Sequence, residues 1–269
     1  MIGGGIEKNV PIIADFMPAR WGYEGLIVDT YTNNEYGKRF YEIERKESVC
    51  DYKQSYYIPL LKEKLADIRI VLANNEQSIK LKEYEFNPEE YLAVLKNEIS
   101  KENVFNPIVQ FSAPKNINLA HFNNALLESL EVYLDELNSF YSLSSMGLVM
   151  RKQVLTAEIK NNNPALFSIL KANYYNSNLN EILTNSLVKK KIIVTKENQV
   201  MQIVDPIYLN PLKSFINIRT HFYAPNKYFF NTLISTFWFN IIIIWAYVLI
   251  LFVILYYNVL KKILSFFNK

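Results

Sequence analysis

Between Lys227 and Lys261 the chain contains no Asp, Glu, Lys, Arg or His, an uncharged run of 33 residues (228–260). A helix rises about 1.5 Å per residue, so roughly 20 apolar residues cross a hydrocarbon core of about 30 Å. Thr236 to Tyr256 meets that requirement. Its centre, IIIIWAYVLILFVIL from Ile241 to Leu255, is apolar on every face, which excludes an amphipathic surface helix. Phe237, Trp238 and Phe239 at one end and Tyr256 and Tyr257 at the other match the aromatic belts of a bilayer's two interfaces, and Lys261 and Lys262 stop the span. The remaining 236 residues carry all 29 basic and 26 acidic side chains, the charge density of an ordinary globular body. The mean hydropathy near zero is therefore the average of two unlike parts.

The balanced charge and apolar content exclude intrinsic disorder, a collagen-like fibre and a strongly basic nucleic-acid tail. Sidedness is open from charge alone: Lys213, Arg219 and Lys227 precede the span, and Lys261, Lys262 and Lys269 follow it. Residues 1–17 carry Glu7, Lys8 and Asp15 and lack the pattern of a signal peptide. Alone, such a chain reads as tail-anchored; alternatively it is the end of a longer polytopic protein. Gly3-Gly4-Gly5, Pro11 and Pro18 favour a connecting segment within a larger protein.

The body reads as mostly α with one small β-hairpin, in one domain. Pro18 suits a first helical turn in the largely apolar stretch from Asp15 to Tyr31, a short helix near a membrane interface. Glu35 to Cys50 is expected to be helical. Ile58, Leu61, Leu65, Ile68 and Leu72 recur at alternating spacings of 3 and 4, one face of an amphipathic helix. Asn87-Pro88-Glu89-Glu90 combines an N-cap, a first-turn proline and carboxylates at the positive end of the helix dipole; Tyr91, Leu92, Leu95 and Ile99 form the apolar face that follows. Pro107 and Pro114 make residues 103–118 a loop. Phe122, Leu126, Leu130, Leu134, Leu137 and Tyr141 open a long helix running towards Ile159, and Asn163-Pro164 opens another through about Ala172. Ile192–Val194 and Val200–Val204 flank a polar turn as a hairpin.

Signals for chemistry are sparse. None of the seven glycines belongs to a GxxxxGK[ST] loop, so no ATP site is expected in this chain. Two histidines 100 positions apart, His121 and His221, and one cysteine, Cys50, do not suggest a zinc site, and a single Cys permits no internal disulfide. Glu89-Glu90 and Asp135-Glu136 are sequence neighbours pointing about 100° apart on a helix, which suits solvated or capping residues better than an acid–base dyad. Lys189-Lys190-Lys191 reads as a solvated run. Helices followed by a hairpin suggest a winged-helix DNA reader, but the pI near 8.6 and the lack of a basic stripe argue against nucleic acid as a partner. No catalytic constellation, cofactor site or metal site is expected.

Two segments carry a family resemblance. Pro18-Ala19-Arg20-Trp21-Gly22-Tyr23-Glu24-Gly25-Leu26 resembles the SRWAFEAL motif after the fifth membrane helix of ABCG-like, ABC-2 type transporter permeases; the continuation through Asn33–Tyr41 and Tyr56-Tyr57-Ile58-Pro59 is similar to the extracytoplasmic loop of the large Bacteroidota-type members. His221-Phe222-Tyr223-Ala224-Pro225-Asn226-Lys227-Tyr228-Phe229-Phe230 and Thr236-Phe237-Trp238-Phe239-Asn240 resemble the approach to the last membrane helix of that family. Residues 75–205 correspond only in length and helical character. The family's nucleotide-binding domain and first five membrane helices lie outside this sequence, so the chain resembles a C-terminal fragment or one piece of a split gene.

The resemblance implies an inner-membrane, single-pass chain: a loop and short re-entrant helix over 1–30, a mainly helical periplasmic domain over 31–227, a membrane helix within 228–262 and a cytoplasmic tail over 263–269. It makes Arg20, Trp21, Tyr23 and Glu24 gating candidates, with Arg20 and Glu24 placed to pair at i and i+4. It makes His221, Phe222, Pro225, Lys227, Trp238 and Asn240 a membrane-approach motif, with Asn240 near the outer interface, and Lys261 and Lys262 cytoplasmic anchors. The implied partners are the lipid bilayer, the missing transporter parts and a second copy in a dimer, with ATP and magnesium bound elsewhere in the intact transporter. The competing expectation is a tail-anchored cytoplasmic adaptor or membrane-tethered regulator.

Overall fold

A computed structural model describes residues 12–73, 87–216 and 219–258. Gly3-Gly4-Gly5, Pro11, Lys261, Lys262 and Lys269 lie outside the described residues. The fold is mostly α, with two small antiparallel hairpins and one C-terminal apolar helix among the described residues. The helices are α1 (Ile12–Asp15), α2 (Pro18–Thr32), α3 (Gly37–Tyr52), α4 (Ile58–Ala73), α5 (Pro88–Phe105), α6 (Asn124–Asn162), α7 (Leu166–Tyr174), α8 (Ser177–Thr184) and α9 (Thr236–Tyr256). Two compact units share them. Among the described residues, unit 1 comprises those within 1–41, 169–187 and 205–269, and unit 2 those within 42–168 and 188–204.

Unit 2 is built on the faces that the apolar spacing predicts. Ile58, Leu61, Leu65 and Ile68 of α4, Leu92, Leu95 and Ile99 of α5, and Leu127, Leu130, Leu134, Leu137 and Tyr141 of α6 are buried in one core. Asn87 caps α5 by accepting the Glu89 N–H at 3.1 Å, with Pro88 at the first helical position. Five residues of π-helix, Lys53–Tyr57, join α3 to α4. Pro59 supplies a reason: it has no N–H to donate and its ring crowds the carbonyl four residues earlier, so a widened turn ahead of it relieves the clash. Asn163 accepts the Ala165 N–H, but α7 begins only at Leu166, after a turn through Pro164. The hairpin β1 (Ile192–Val194) and β2 (Val200–Gln202) pairs Ile192 with Gln202 and Val194 with Val200.

Unit 1 has a smaller apolar cluster of Ala14, Val28, Leu183, Ile207, Tyr208, Phe222 and Tyr223. Its hairpin, β3 (Asn226–Phe229) with β4 (Thr232–Ser235), occupies residues that the sequence suggests as an approach to the membrane. Phe230 (φ 49°) and Asn231 (φ 60°) are both left-handed, the requirement of the tightest two-residue hairpin turn, and so an aromatic side chain stands where Asn or Gly is usual. The helix that follows coincides with the expected apolar segment. Only 11% of its most apolar stretch is buried, and it is long and apolar enough to cross a membrane.

Candidate functional site

Glu24 and Lys227, 203 residues apart, form an ion pair that is wholly withdrawn from solvent in unit 1: Lys227 Nζ lies 2.7 Å from Glu24 Oε2, and both side chains have 0% exposure. Each comes from a different resemblance motif. Placing Glu24 at the middle of α2 and Lys227 on β3, in the hairpin that leads into α9, brings the motifs together, because α2 packs along α9. Asn240, one turn into α9, ties the three elements. Its amide donates to the Trp21 carbonyl at 2.9 Å and to Glu24 Oε2 at 3.2 Å, while its carbonyl oxygen accepts from Lys227 Nζ at 3.2 Å. Asn240 is therefore an interhelical link.

The surroundings are aromatic. Lys227 Nζ stands 5.0 Å from the Trp21 ring centroid and 5.5 Å from that of Phe239, within range of a cation–π attraction. Burial, opposed by the Glu24 charge and hydrogen bond, holds the Lys227 ammonium below its ordinary range. Glu24 Oε1 has no hydrogen-bond partner among the described residues. Gly25 faces α9, where a Cβ would meet Asn240 Cβ and Phe237 Cα at 3.5 Å, room for a methyl in ordinary contact. Thr236 closes the junction by donating its hydroxyl to the Ala224 carbonyl at 2.5 Å, and its N–H goes to the Pro225 carbonyl.

The expected Arg20–Glu24 pair does not form. Arg20 turns instead to Asp15, with Nη1 2.8 Å from Oδ1, while its guanidinium lies 4.3 Å from the Trp21 ring centroid. The reason lies in the helix surroundings: Glu24 faces the buried Lys227, whereas Arg20 sits beside the carboxylate that ends α1. Asp15 also receives Arg219 at 2.8 Å. Its carbonyl accepts from the Trp21 indole and from the Tyr247 hydroxyl. Tyr247 lies eleven residues into α9, about 16 Å along its axis, so α1 and the start of α2 run beside the apolar helix rather than above its end.

The other expected site residues are placed variously. Phe222 and Pro225 are buried. His221 is part-buried, with its Nε2 3.0 Å from the Pro206 carbonyl; burial lowers its pKa from the ordinary value. Tyr23, half exposed, stacks on Phe222. Trp238 is exposed and outside the junction. Asp15, Arg219, Thr236 and Tyr247 complete the cluster without any sequence signal beyond their polarity in apolar surroundings. Among the described residues there is no group of three or more His, Cys, Asp or Glu that could hold a metal ion. Comparison with family models, curated proteins and solved structures yields no match.

Proposed function

We propose that this chain is the membrane-anchoring and gate-forming part of an ABC-type export permease, with the helical body outside the cytoplasmic membrane and the driving ATPase supplied by another polypeptide or domain. The observation that carries the reading is the Glu24–Lys227–Asn240 junction: the two segments that resemble such permeases meet in one buried polar cluster against a helix long enough to span a bilayer.

Several features support a re-entrant role for α1 and α2. Ile12, Ile13, Phe16, Met17 and Leu26 each leave more than half of their surface open. Exposed apolar side chains on an element that runs beside a lipid-length helix suit hydrocarbon better than water. Ionisable groups at such depth are costly and are kept where they work. In this reading the junction is a latch: it fixes α2 against α9 while the exit path is closed, and movement of α2 would require the charged pair to separate or to move as a unit.

Sidedness tests the proposal. With Cys50 replaced by Ala, a single cysteine at exposed Ser129 is offered an impermeant maleimide in intact spheroplasts. Labelling before permeabilisation is expected. Labelling only after permeabilisation would overturn the reading in favour of a tail-anchored cytoplasmic adaptor.

A further inference from the structure

Unit 2 contains a groove that the permease reading does not use. It lies between α3 and α6, has a volume of about 540 Å³, and is lined by Arg45, Lys46 and Val49 on one side and Phe140, Leu148 and Arg151 on the other. That volume falls within the range of small-molecule sites. The chemistry is divided: an apolar floor of Val49, Phe140 and Leu148, and a cationic rim of Arg45, Lys46 and Arg151, with no carboxylate in the lining. Arg45 is held by Glu42 at 3.0 Å, whereas Lys46 and Arg151 have no ion-pair partner among the described residues. With Arg45 paired, Lys46 and Arg151 are the two cations left to meet an anionic group beside the uncharged floor.

Gly147 points the same way. Glycine inside a long helix costs about 0.8–1 kcal/mol relative to alanine. Packing does not require it here, because a Cβ at Gly147 would have no heavy atom within 4 Å, and its φ is not positive. The missing side chain leaves the floor of the groove open.

We infer that this groove binds a single-chain anionic amphiphile, its hydrocarbon on Val49, Phe140 and Leu148 and its carboxylate or phosphate between Lys46 and Arg151. An apolar ligand would gain nothing from the rim, and a small anion nothing from the floor. Guanidinium and ammonium groups give charge-assisted hydrogen bonds to either head group, and each buried methylene adds to affinity. A free fatty acid and a lysophospholipid share this chemistry. The inference is independent of which side of a membrane unit 2 occupies.

Photo-crosslinking of the full chain in phosphatidylcholine nanodiscs tests it. The probes are a diazirine-bearing fatty acid, a diazirine-bearing lysophosphatidic acid and a diazirine-bearing alkanol of equal chain length, with labelled peptides mapped by mass spectrometry. One or both anionic probes should label peptides from α3 and α6, the stronger identifying the head group. Gly147→Trp, which fills the floor, and Lys46→Ser with Arg151→Ser, which discharges the exposed rim, should each lower that labelling at least tenfold, since one charge-assisted hydrogen bond alone is worth about that factor and the rim variant removes two donors. The rim variant alters only exposed side chains, so it remains informative if Gly147→Trp unfolds. Equal labelling by the alkanol, full competition by inorganic phosphate, or labelling confined to α2 and α9 would overturn the inference.

Discussion

Both units bury a glutamate against a lysine, and they do so differently. In unit 2, Glu102 accepts from Lys53 at 2.6 Å through one oxygen and from the Tyr141 hydroxyl through the other, and the Lys53 side chain remains 18% exposed. Burial and the Glu102 charge hold the Tyr141 hydroxyl well above its ordinary pKa, which keeps it a donor. In unit 1, Glu24 and Lys227 are both fully withdrawn from water, and Glu24 Oε1 has no hydrogen-bond partner among the described residues. A carboxylate with both oxygens satisfied and a partner reaching solvent is an economical way to fasten α5 to the α3–α4 joint. A dry pair with an orphaned oxygen is not, because desolvation of two charges competes with their attraction. The contrast separates a fastening with both carboxylate oxygens satisfied from a dry pair whose attraction is offset by its own desolvation.

Breaking the dry pair should produce the largest effect. Lys227→Met strands a buried carboxylate, and a loss of about 3–5 kcal/mol is expected in denaturant unfolding of the detergent-solubilised protein. Adding Glu24→Leu should restore most of it, because replacing both charges by apolar groups is often nearly neutral. A double variant as unstable as Lys227→Met would remove the distinction between the units. Tyr141→Phe should cost less, about 1–3 kcal/mol, by leaving one Glu102 oxygen without its donor, and native-state hydrogen exchange should localise that loss to α5 and α6 of unit 2.

The smallest effect concerns pH. Burial lowers the folded-state pKa of His221 below the ordinary value near 6.5, so between the two values the unfolded chain binds a proton that the folded chain does not. The stability His221 contributes is therefore complete above about pH 6.5 and declines as pH falls, by less than about 1.4 kcal/mol per pH unit. His221→Gln should flatten that acid limb of the unfolding curve for unit 1 and leave hydrogen exchange of unit 2 unchanged. An unaltered limb would mean that another group sets it.

Much of unit 2 was legible because amphipathic helices announce themselves: the 3-and-4 spacing of Ile58, Leu61, Leu65 and Ile68 and the cap at Asn87 need no knowledge of partners. The apolar helix was legible for a different reason, an uncharged run long enough to span a bilayer. Residues 226–235 were not, since a two-residue turn through Phe230 and Asn231 carries no Gly signal, and aromatic-rich strands resemble a membrane approach. Nor did any composition shift mark where the chain crosses between units at residues 41, 168, 187 and 204. Within the site, Arg20, Trp21, Glu24, Lys227 and Asn240 could be singled out, but their partners could not. Local spacing favoured Arg20 with Glu24, whereas tertiary packing brought Asp15 to the first and Lys227 to the second.

Glu24 and Lys227 act as one unit joining α2 to the segment before α9. A double-mutant cycle on Glu24→Leu and Lys227→Met, read by denaturant unfolding of the full chain, measures that directly. A coupling energy above about 2 kcal/mol is expected; effects that add to within about 0.5 kcal/mol would mean that the two side chains act separately.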